Sequence, residues 1–142
     1  MKYPARLKPS PHGGYVVWFR DIPEANTRGD SQEKALAMAV DSLLAALELH
    51  LAARYPLPEP SPMRAGDVLI ALPASLSLKV ALVNEVVESK LNHADLARAM
   101  GVHPRDVARL FQLRHTTKLD TIVEAFKALG LELDFTVTKA TA

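Results

Sequence analysis

The sequence predicts an α+β protein in two parts, and three observations support this prediction. Near the N-terminus, apolar residues alternate with polar ones, which is the pattern of half-buried strands. In 31–54 and again in 75–130, apolar residues recur at steps of three and four, which is the pattern of amphipathic helices. Between these segments, prolines alternate in 55–63 and indicate an extended connector.

The first part is predicted to be a β-β-β-α-β unit. Its strands are expected at 2–9, 15–19, 26–28 and 68–72, and the first two form a hairpin through a glycine-containing turn. Asp30 or Ser31 is suited to cap the helix, which is expected to end near Arg54. The stripe that packs on the sheet is expected to contain Leu36, Val40, Leu43, Leu47 and Leu51.

The second part is predicted to be helical and to close with a strand. Its first helix has a stripe formed by Leu76, Val80, Val83 and Val87. Its last helix is expected at 119–129, ended by Gly130. Alternating apolar residues predict the closing strand over 132–138. We expect residues 1–73 to fold separately from residues 74–142.

Composition and charge exclude several classes of protein. The chain has no cysteine, which excludes disulfides and cysteine-based zinc sites and favours the reducing cytoplasm. We see no apolar run of about 18 residues and no secretory signal, so neither a membrane span nor export is expected. The net charge is only +1, but residues 98–118 carry five basic residues against one acid, Asp106. This basic segment points to a nucleic-acid partner.

The most specific pattern begins at Asn92, which is suited to cap a helix. Ala97 is small where a second helix would have to cross closely, and Gly101 suits a helix end with positive φ. Val102 is expected to fill the core beneath the turn, and Pro104 suits the first turn of the next helix. The pattern predicts a helix-turn-helix whose second helix enters the major groove of DNA.

The residues expected to contact DNA lie on this second helix and just after it. Arginine can form two hydrogen bonds with guanine and glutamine two with adenine, whereas the residues beyond the helix would contact phosphates. The expected set is His103, Arg105, Ala108, Arg109, Gln112, Arg114, Thr116, Thr117 and Lys118. A plain helical hairpin with a solvated charged face is the alternative, but it does not explain Ala97, Gly101 and the acid-poor face together.

Both halves resemble known families. Residues 92–131 resemble the Cro/C1-type, or XRE-like, helix-turn-helix, with Leu-Ala-Arg at 96–98, Gly-Val at 101–102 and Lys-Leu-Asp-Thr-Ile at 118–122. The N-terminal half resembles the HicB antitoxin domain. The shared features are Tyr3-Pro4, Gly13-Gly14-Tyr15, the turn Asp21-Ile22-Pro23-Glu24 and Thr27-x-Gly29. The order of the two parts and the proline connector match the helix-turn-helix branch of that family.

This resemblance implies a degenerate RNase H-like N-terminal domain that binds a HicA-type toxin, a small ribonuclease. It implies a C-terminal domain that binds operator DNA and represses the toxin–antitoxin operon, in a homodimer or higher oligomer. For the toxin contact we expect Tyr15, Asp21 and Glu24, whose carboxylates could meet a basic partner. That Asp21 only closes its turn is an equal alternative. Dimerisation is expected through the strand over 132–138, with 75–91 as the fallback.

An enzyme and a metal-binding regulator are the first two rival functions. An RNase H-like active site needs several carboxylates that converge on Mg²⁺, but the predicted strands 2–9, 15–19 and 68–72 contain none. We therefore expect no catalytic residues and no cofactor. No two histidines lie three to five residues apart, so no metal site is expected either. They are His12, His50, His93, His103 and His115.

A stand-alone dimeric repressor that senses a small ligand is the third rival. Its N-terminal domain would bind the ligand among Tyr15, Trp18 and Phe19. Aromatic residues of a strand are more often part of a core. Co-purification with a small basic protein would favour the toxin instead.

Overall fold

Four strands in the N-terminal half of the chain form one antiparallel sheet, and the described residues also form five α-helices. The computed structural model describes residues 1–53 and 55–140. The strands are β1 (Lys2–Pro9), β2 (Tyr15–Phe19), β3 (Thr27–Gly29) and β4 (Val68–Ala71). The helices are α1 (Gln32–Ala52), α2 (Ala74–Ser89), α3 (His93–Met100), α4 (Pro104–Leu110) and α5 (Leu119–Ala128), with a short 3₁₀ helix at Pro23–Ala25. The α+β class and the β-β-β-α-β order are confirmed.

The sheet has the strand order β3-β2-β1-β4, and the alternation of its side chains places its core face against α1. Ala5 lies opposite Phe19, and both are buried on this face. Trp18 belongs to the other face, where the Lys8 ammonium lies 5.8 Å from the centre of its ring. β4 follows the connector, where the sequence predicted a strand, and it pairs with β1.

α1 packs on the sheet through small residues as well as through the predicted leucine and valine stripe. Ala35 and Ala39 are fully buried. A Cβ atom on Gly29 of β3 would lie 2.4 Å from the backbone nitrogen of Ala35, so the strand and the helix touch at the backbone. The predicted stripe lies in the same core, where Leu43 and Leu47 are fully buried. Leu36, Val40 and Leu51 are half-buried.

The ends of α1 agree with capping rules. The Ser31 hydroxyl accepts a hydrogen bond from the Lys34 backbone N–H at 3.1 Å, which confirms Ser31 as the cap. The helix ends at Ala52, and the predicted end near Arg54 falls outside the described residues.

Length and composition alone would also allow α1 to cross a membrane, although we expected no such segment. The core helix of a globular domain meets the same criterion. α1 buries part of its surface in the fold, through Ala35, Ala39, Leu43, Leu44, Ala46 and Leu47.

The proline-rich connector, residues 55–63, forms neither helix nor strand, and side chains of the fold bond to it at several points. Leu57 is buried, and its backbone N–H and C=O both bond to the side-chain amide of Asn84 on α2, at 2.7 Å and 2.8 Å. The Tyr3 hydroxyl donates a hydrogen bond to the carbonyl oxygen of Pro58 at 2.6 Å. These bonds pair backbone groups of the connector that a proline-rich segment cannot pair internally, because proline has no backbone N–H.

Asp67, just before β4, lies at the centre of a buried ion-pair cluster. Its side chain has no exposed surface and lies 2.9 Å from both the Arg20 and the Arg6 guanidinium groups. The backbone N–H of Arg64 donates a further hydrogen bond to it at 2.7 Å. Arg20 also bonds to Ser61 of the connector, at 3.2 Å. The cluster thus ties β1, the end of β2 and the connector together before the chain enters β4.

α2 contributes to two hydrophobic clusters. Val80 and Val83 belong to the cluster between the sheet and α1, which also contains Leu113 from the C-terminal half. Leu82 and Val86 belong to a second cluster. That cluster also contains Leu96, Ala97, Val107, Leu110, Ile122, Ala125 and Phe126. A fragment of residues 1–73 would therefore lack part of the N-terminal core, and its separate folding stays a prediction. Val87, which we expected in the buried stripe, is exposed.

The predicted closing strand over 132–138 is not formed in the part of the chain that the structure describes. Residues 131–140 have no strand hydrogen bonds. Leu133 packs against the second cluster, but Phe135 and Val137 are 58% and 96% exposed. A strand exists only through hydrogen bonds to a neighbour, and a single chain offers none to this segment. An alternating sequence pattern does not reveal whether such a neighbour is present.

The Asp67 cluster predicts a pH dependence of stability. Hydrogen bonds from Arg20 and from the backbone of Arg64 lower the pKa of Asp67 from its usual 3.8 to about 2. Its carboxylate therefore stabilises the fold fully above pH 3.8, and this contribution is lost as the pH falls toward about 2. Asp67→Asn should lower the free energy of unfolding at neutral pH and flatten its decline on acidification.

Urea denaturation at a series of pH values would measure both effects. Asp41→Asn is the matched control, because Asp41 is exposed on α1. An equal change in the two variants would contradict the role of the cluster.

Candidate nucleic-acid interface

The two ends of α3 are fixed by local hydrogen bonds. The Asn92 side chain accepts a bond from the backbone N–H of Asp95 at 2.7 Å, and the Asp95 carboxylate accepts one from the backbone N–H of Asn92 at 3.2 Å. This reciprocal capping box confirms Asn92 as the helix start. At the other end, Gly101 has a φ of 70°, which confirms the predicted left-handed exit from the helix.

α3 and α4 share the second hydrophobic cluster. Leu96 and Ala97 of α3 and Val107 and Leu110 of α4 are all buried there, as predicted. Val102 does not fill the core beneath the turn and is 37% exposed. It directly follows the left-handed Gly101, where the chain turns away from the helix, so its side chain lies at the surface.

α4 presents two arginines to solvent. Pro104 occupies its first turn, and His103 caps it by accepting the Arg105 backbone N–H at its Nδ1 atom, 3.2 Å away. Arg105 and Arg109 are exposed and lie one helical turn apart. The Arg109 guanidinium lies 4.0 Å from the Asp106 carboxylate, a contact too open and exposed to hold it firmly.

Not every predicted contact residue belongs to this exposed face. Ala108 is half-buried. α4 ends at Leu110, so Gln112 is exposed in the following loop rather than on the helix, as the periodicity had predicted. Thr116 and Lys118 are exposed in the same loop, residues 111–118, which we call the α4–α5 loop.

Two other predicted phosphate contacts differ from the exposed arginines of α4: Arg114 forms an ion pair at the surface, and the hydroxyl of Thr117 is buried. The Arg114 guanidinium lies 2.6 Å from the carboxylate of Glu48 on α1. The hydroxyl oxygen of Thr117 is buried and has no hydrogen-bond partner among the described residues. In this arrangement Thr117 does not reach a phosphate, because its polar atom faces inward.

Lys79 of α2 was not expected from the sequence but contacts this region directly. The residue is 1% exposed. Its ammonium group donates hydrogen bonds to the backbone carbonyls of Arg109, at 3.3 Å, of Gln112, at 2.9 Å, and of His115. Burial lowers the pKa of the Lys79 ammonium group. Its helical spacing from Val83 and Val86 is the signal in the sequence that could have revealed its burial, although the stripe predicted for α2 did not include it.

The residues predicted to bind a toxin do not form one cluster. Tyr15 is half-buried in β2, where it packs against the N-terminal cluster. The Asp21 carboxylate accepts hydrogen bonds from the backbone N–H and the hydroxyl of Ser61, at 2.8 Å and 3.1 Å. Glu24 is exposed, 3.6 Å from the Nε2 atom of His50. Asp21 therefore has a structural partner in the connector, whereas Glu24 is accessible.

The alternating faces of β2 bear on the small-ligand alternative. Tyr15 and Phe19 face the core beside α1, whereas Trp18 lies on the opposite face of the sheet. The three aromatic side chains therefore do not line one pocket. In the described ranges 1–53 and 55–140, no group of three or more His, Cys, Asp or Glu side chains is placed to hold a metal ion.

Comparison with known proteins identifies the family. Residues 2–81, which span the sheet, α1, the connector and half of α2, match the family described as “HicB_like antitoxin of bacterial toxin-antitoxin system”. The chain belongs to the HicB-like antitoxin family. The resemblance inferred from the sequence is thus confirmed, and the protein is the antitoxin of a toxin–antitoxin system.

Similar proteins cover the C-terminal helices of the antitoxin as well. It is 42% identical over 137 residues to “Antitoxin HicB 1” of Photorhabdus laumondii, covering 96% of this chain and 87% of the relative. It is 42% identical over 133 residues to “Antitoxin HicB” of Escherichia coli K12, covering 94% and 96%. It is 33% identical over 127 residues to “Antitoxin HicB” of Pseudomonas fluorescens, covering 87% of each.

The exit from α3 predicts the effect of a substitution at Gly101. A Cβ atom there would meet no other atom within 4 Å, so the cost of a side chain comes from the backbone conformation alone. Gly101→Ala should lower the free energy of unfolding of the antitoxin by about 1 kcal/mol. Gly101→Asn should cost less, because asparagine tolerates the left-handed conformation. Urea denaturation of both variants would measure the difference, and an equal loss would contradict this account of the turn.

Proposed function

We propose that this antitoxin neutralises a HicA-type ribonuclease through its N-terminal half and represses its own operon by binding DNA. In this proposal α3 and α4 form a helix-turn-helix of the XRE type, and α4 enters the major groove. The observation that carries the DNA-binding part is the exposed pair Arg105 and Arg109 on a helix that α3 supports from behind. Family membership supports the toxin part.

Local charge and the exposure of the basic side chains support the assignment of α4 as the recognition helix. Residues 98–118 carry five basic residues against Asp106, and on α4 the two arginines face solvent. A guanidinium group matches the N7 and O6 atoms of guanine with two hydrogen bonds. Lys118, the last residue of the α4–α5 loop, is exposed and suits a phosphate contact, which sets the register on the duplex.

The N-terminal half is proposed to be a degenerate RNase H-like domain without catalytic activity. Two of its carboxylates are engaged in structural contacts: Asp67 pairs with Arg6 and Arg20, and Asp21 bonds to Ser61. Metal-dependent phosphodiester cleavage needs acidic groups that share a metal ion. An antitoxin that acts only by binding needs no cofactor, and its place is the cytoplasm, where the operon and a messenger-cleaving toxin are found.

The functional antitoxin is proposed to be a homodimer or a higher homo-oligomer. A single helix-turn-helix contacts few bases, whereas two modules related by a two-fold axis read half-sites about 34 Å apart. Phe135 and Val137 lie exposed after α5, on a segment with an alternating sequence. A second copy of 132–138 would provide the strand neighbour that the single chain lacks.

The DNA-binding function predicts that base contacts and phosphate contacts fail in different ways. Arg109→Ala should weaken binding to operator DNA by roughly 5- to 150-fold, the worth of one bidentate base contact, and leave binding to a scrambled duplex nearly unchanged. Lys118→Ala should weaken both and reduce the salt dependence of binding by about one phosphate contact. Titration of both duplexes at several salt concentrations would measure this, with Lys127→Ala on α5 as the control.

Neutralisation of the toxin should be unchanged in both variants, because Arg109 and Lys118 lie outside the N-terminal half. Co-expression with the toxin and recovery of growth would test this. Operator binding like that of the parent protein in both variants would show that α4 is not the recognition helix. Loss of neutralisation in both would contradict the assignment of toxin binding to the N-terminal half and DNA binding to the C-terminal half. Failure to co-purify with any small basic protein would favour the stand-alone repressor.

The proposed dimer predicts the effect of removing the C-terminal segment. An antitoxin that ends at Gly130 should sediment as a monomer, because the strand that would pair with its two-fold mate is gone. A chain that lacks only residues 139–142 should remain dimeric and is the control. If the chain that ends at Gly130 stayed dimeric, the dimer would form elsewhere, with 75–91 as the fallback.

A further inference from the structure

A charged side chain occupies the interior next to the proposed recognition helix. The Lys79 ammonium group is surrounded by three backbone carbonyls, those of Arg109, Gln112 and His115, and all three accept its hydrogen bonds. An ammonium group has three N–H donors, whereas the neutral amine has only two. The three contacts therefore require the charged form of Lys79.

The position of Lys79 on α2 does not call for a charge. The residue lies on a face of the helix that is otherwise apolar, and an aliphatic side chain would fill this space without the cost of burying an ammonium group. The carbonyl oxygens at the C-terminal end of a helix carry partial negative charge and are favourable partners for a cation. Fixing these carbonyls is thus the specific contribution of a lysine here.

The carbonyls that Lys79 binds belong to the end of α4 and to the α4–α5 loop. Two of them already accept a backbone hydrogen bond, Arg109 from the Gln112 N–H at 3.2 Å and Gln112 from the His115 N–H at 3.0 Å. Lys79 adds a second bond to each and joins this backbone to α2, which is 30 to 36 residues away in the sequence.

The same loop is held from the N-terminal half as well. Leu113 is buried in the cluster between the sheet and α1, and Arg114 pairs with Glu48 of α1. The position of the loop backbone therefore decides which of its residues point inward and which point outward. Arg109 and Gln112 project outward only while Leu113 and the carbonyls project inward.

We propose that Lys79 is a positioning residue for DNA recognition. It does not touch DNA, but it fixes the end of α4 and the α4–α5 loop so that Arg109 and Gln112 point toward the bases. This inference rests on the DNA-binding function proposed above and adds to it a buried residue on another helix.

The test compares Lys79→Met with Val86→Ala in the full-length antitoxin. Val86 is buried on the same helix but belongs to the second cluster, so its truncation destabilises the protein without removing a hydrogen bond to the loop. Three quantities are measured: urea denaturation, backbone amide hydrogen exchange, and affinity for operator and scrambled duplexes. If Lys79→Met does not fold, Lys79→Gln, which keeps two N–H donors, is measured in its place.

We expect both variants to be less stable and only the Lys79 variant to exchange faster at the amides of Phe111, Gln112 and His115. The preference of the Lys79 variant for operator over scrambled DNA should fall about tenfold, while its affinity for scrambled DNA should change less than about twofold. Val86→Ala, measured at the same folded fraction, should keep the preference of the parent protein.

Equal exchange rates and an equal preference in the two variants would overturn the inference. Unfolding of both Lys79 variants under conditions where Val86→Ala is folded would also overturn it, because Lys79 would then be needed for the whole fold. If the parent antitoxin showed no preference for the operator, the proposed DNA-binding function itself would fail. If the parent antitoxin prefers the operator and the Lys79 variant shows the same preference, the inference about Lys79 fails while the proposed DNA-binding function stands.

Discussion

The packing of α2 on two sides is the constraint on which the rest of the structure depends. Val80 and Val83 face the cluster between the sheet and α1, and Leu82 and Val86 face the cluster of the C-terminal helices. A helix that is apolar on most of its surface is stable in water only if it is covered on most sides. The sheet with α1 and the group α3–α5 provide that cover, so each half needs α2 in place.

This arrangement changes how the two halves relate to each other. A connector rich in proline suggested two units joined by a passive spacer, but Leu57 in that connector is bonded through both backbone groups to Asn84 of α2. Leu113 and Arg114 extend the contact from the opposite direction, into the core and to Glu48. A disturbance of α1 would therefore be transmitted to the α4–α5 loop by direct packing and by an ion pair.

Much of the fold could be predicted from the sequence because its determinants are local. Ser31 and Asn92 cap helices through groups three residues away, and Gly101 ends α3 by its own conformational freedom. The Asp67 cluster could not be predicted, because its Arg20 partner is 47 residues distant and nothing in the local pattern links them. The strand expected over 132–138 failed for a related reason, since pairing requires a neighbour that the chain does not supply.

In the candidate site as well, features set by local pattern could be predicted and features set by tertiary contacts could not. Helical periodicity correctly placed Arg105 and Arg109 outward and Val107 and Leu110 inward. It failed at Gln112, because periodicity extends a helix past the point where it ends. The inward hydroxyl of Thr117 and the pairing of Arg114 with Glu48 depend on tertiary contacts, which no local pattern contains.

The bonded connector has a consequence for how the antitoxin is degraded. A protease must bind several residues of its substrate in an extended, detached form, and segments without regular structure are the usual points of cleavage. The connector and residues 131–140 both lack helix and strand, but the connector is held by Tyr3, Arg20 and Asn84 and is rich in proline. Residues 134–140 are exposed throughout. Proteolysis would thus begin at the C-terminal segment and leave the sheet, α1 and α2 connected to α3–α5.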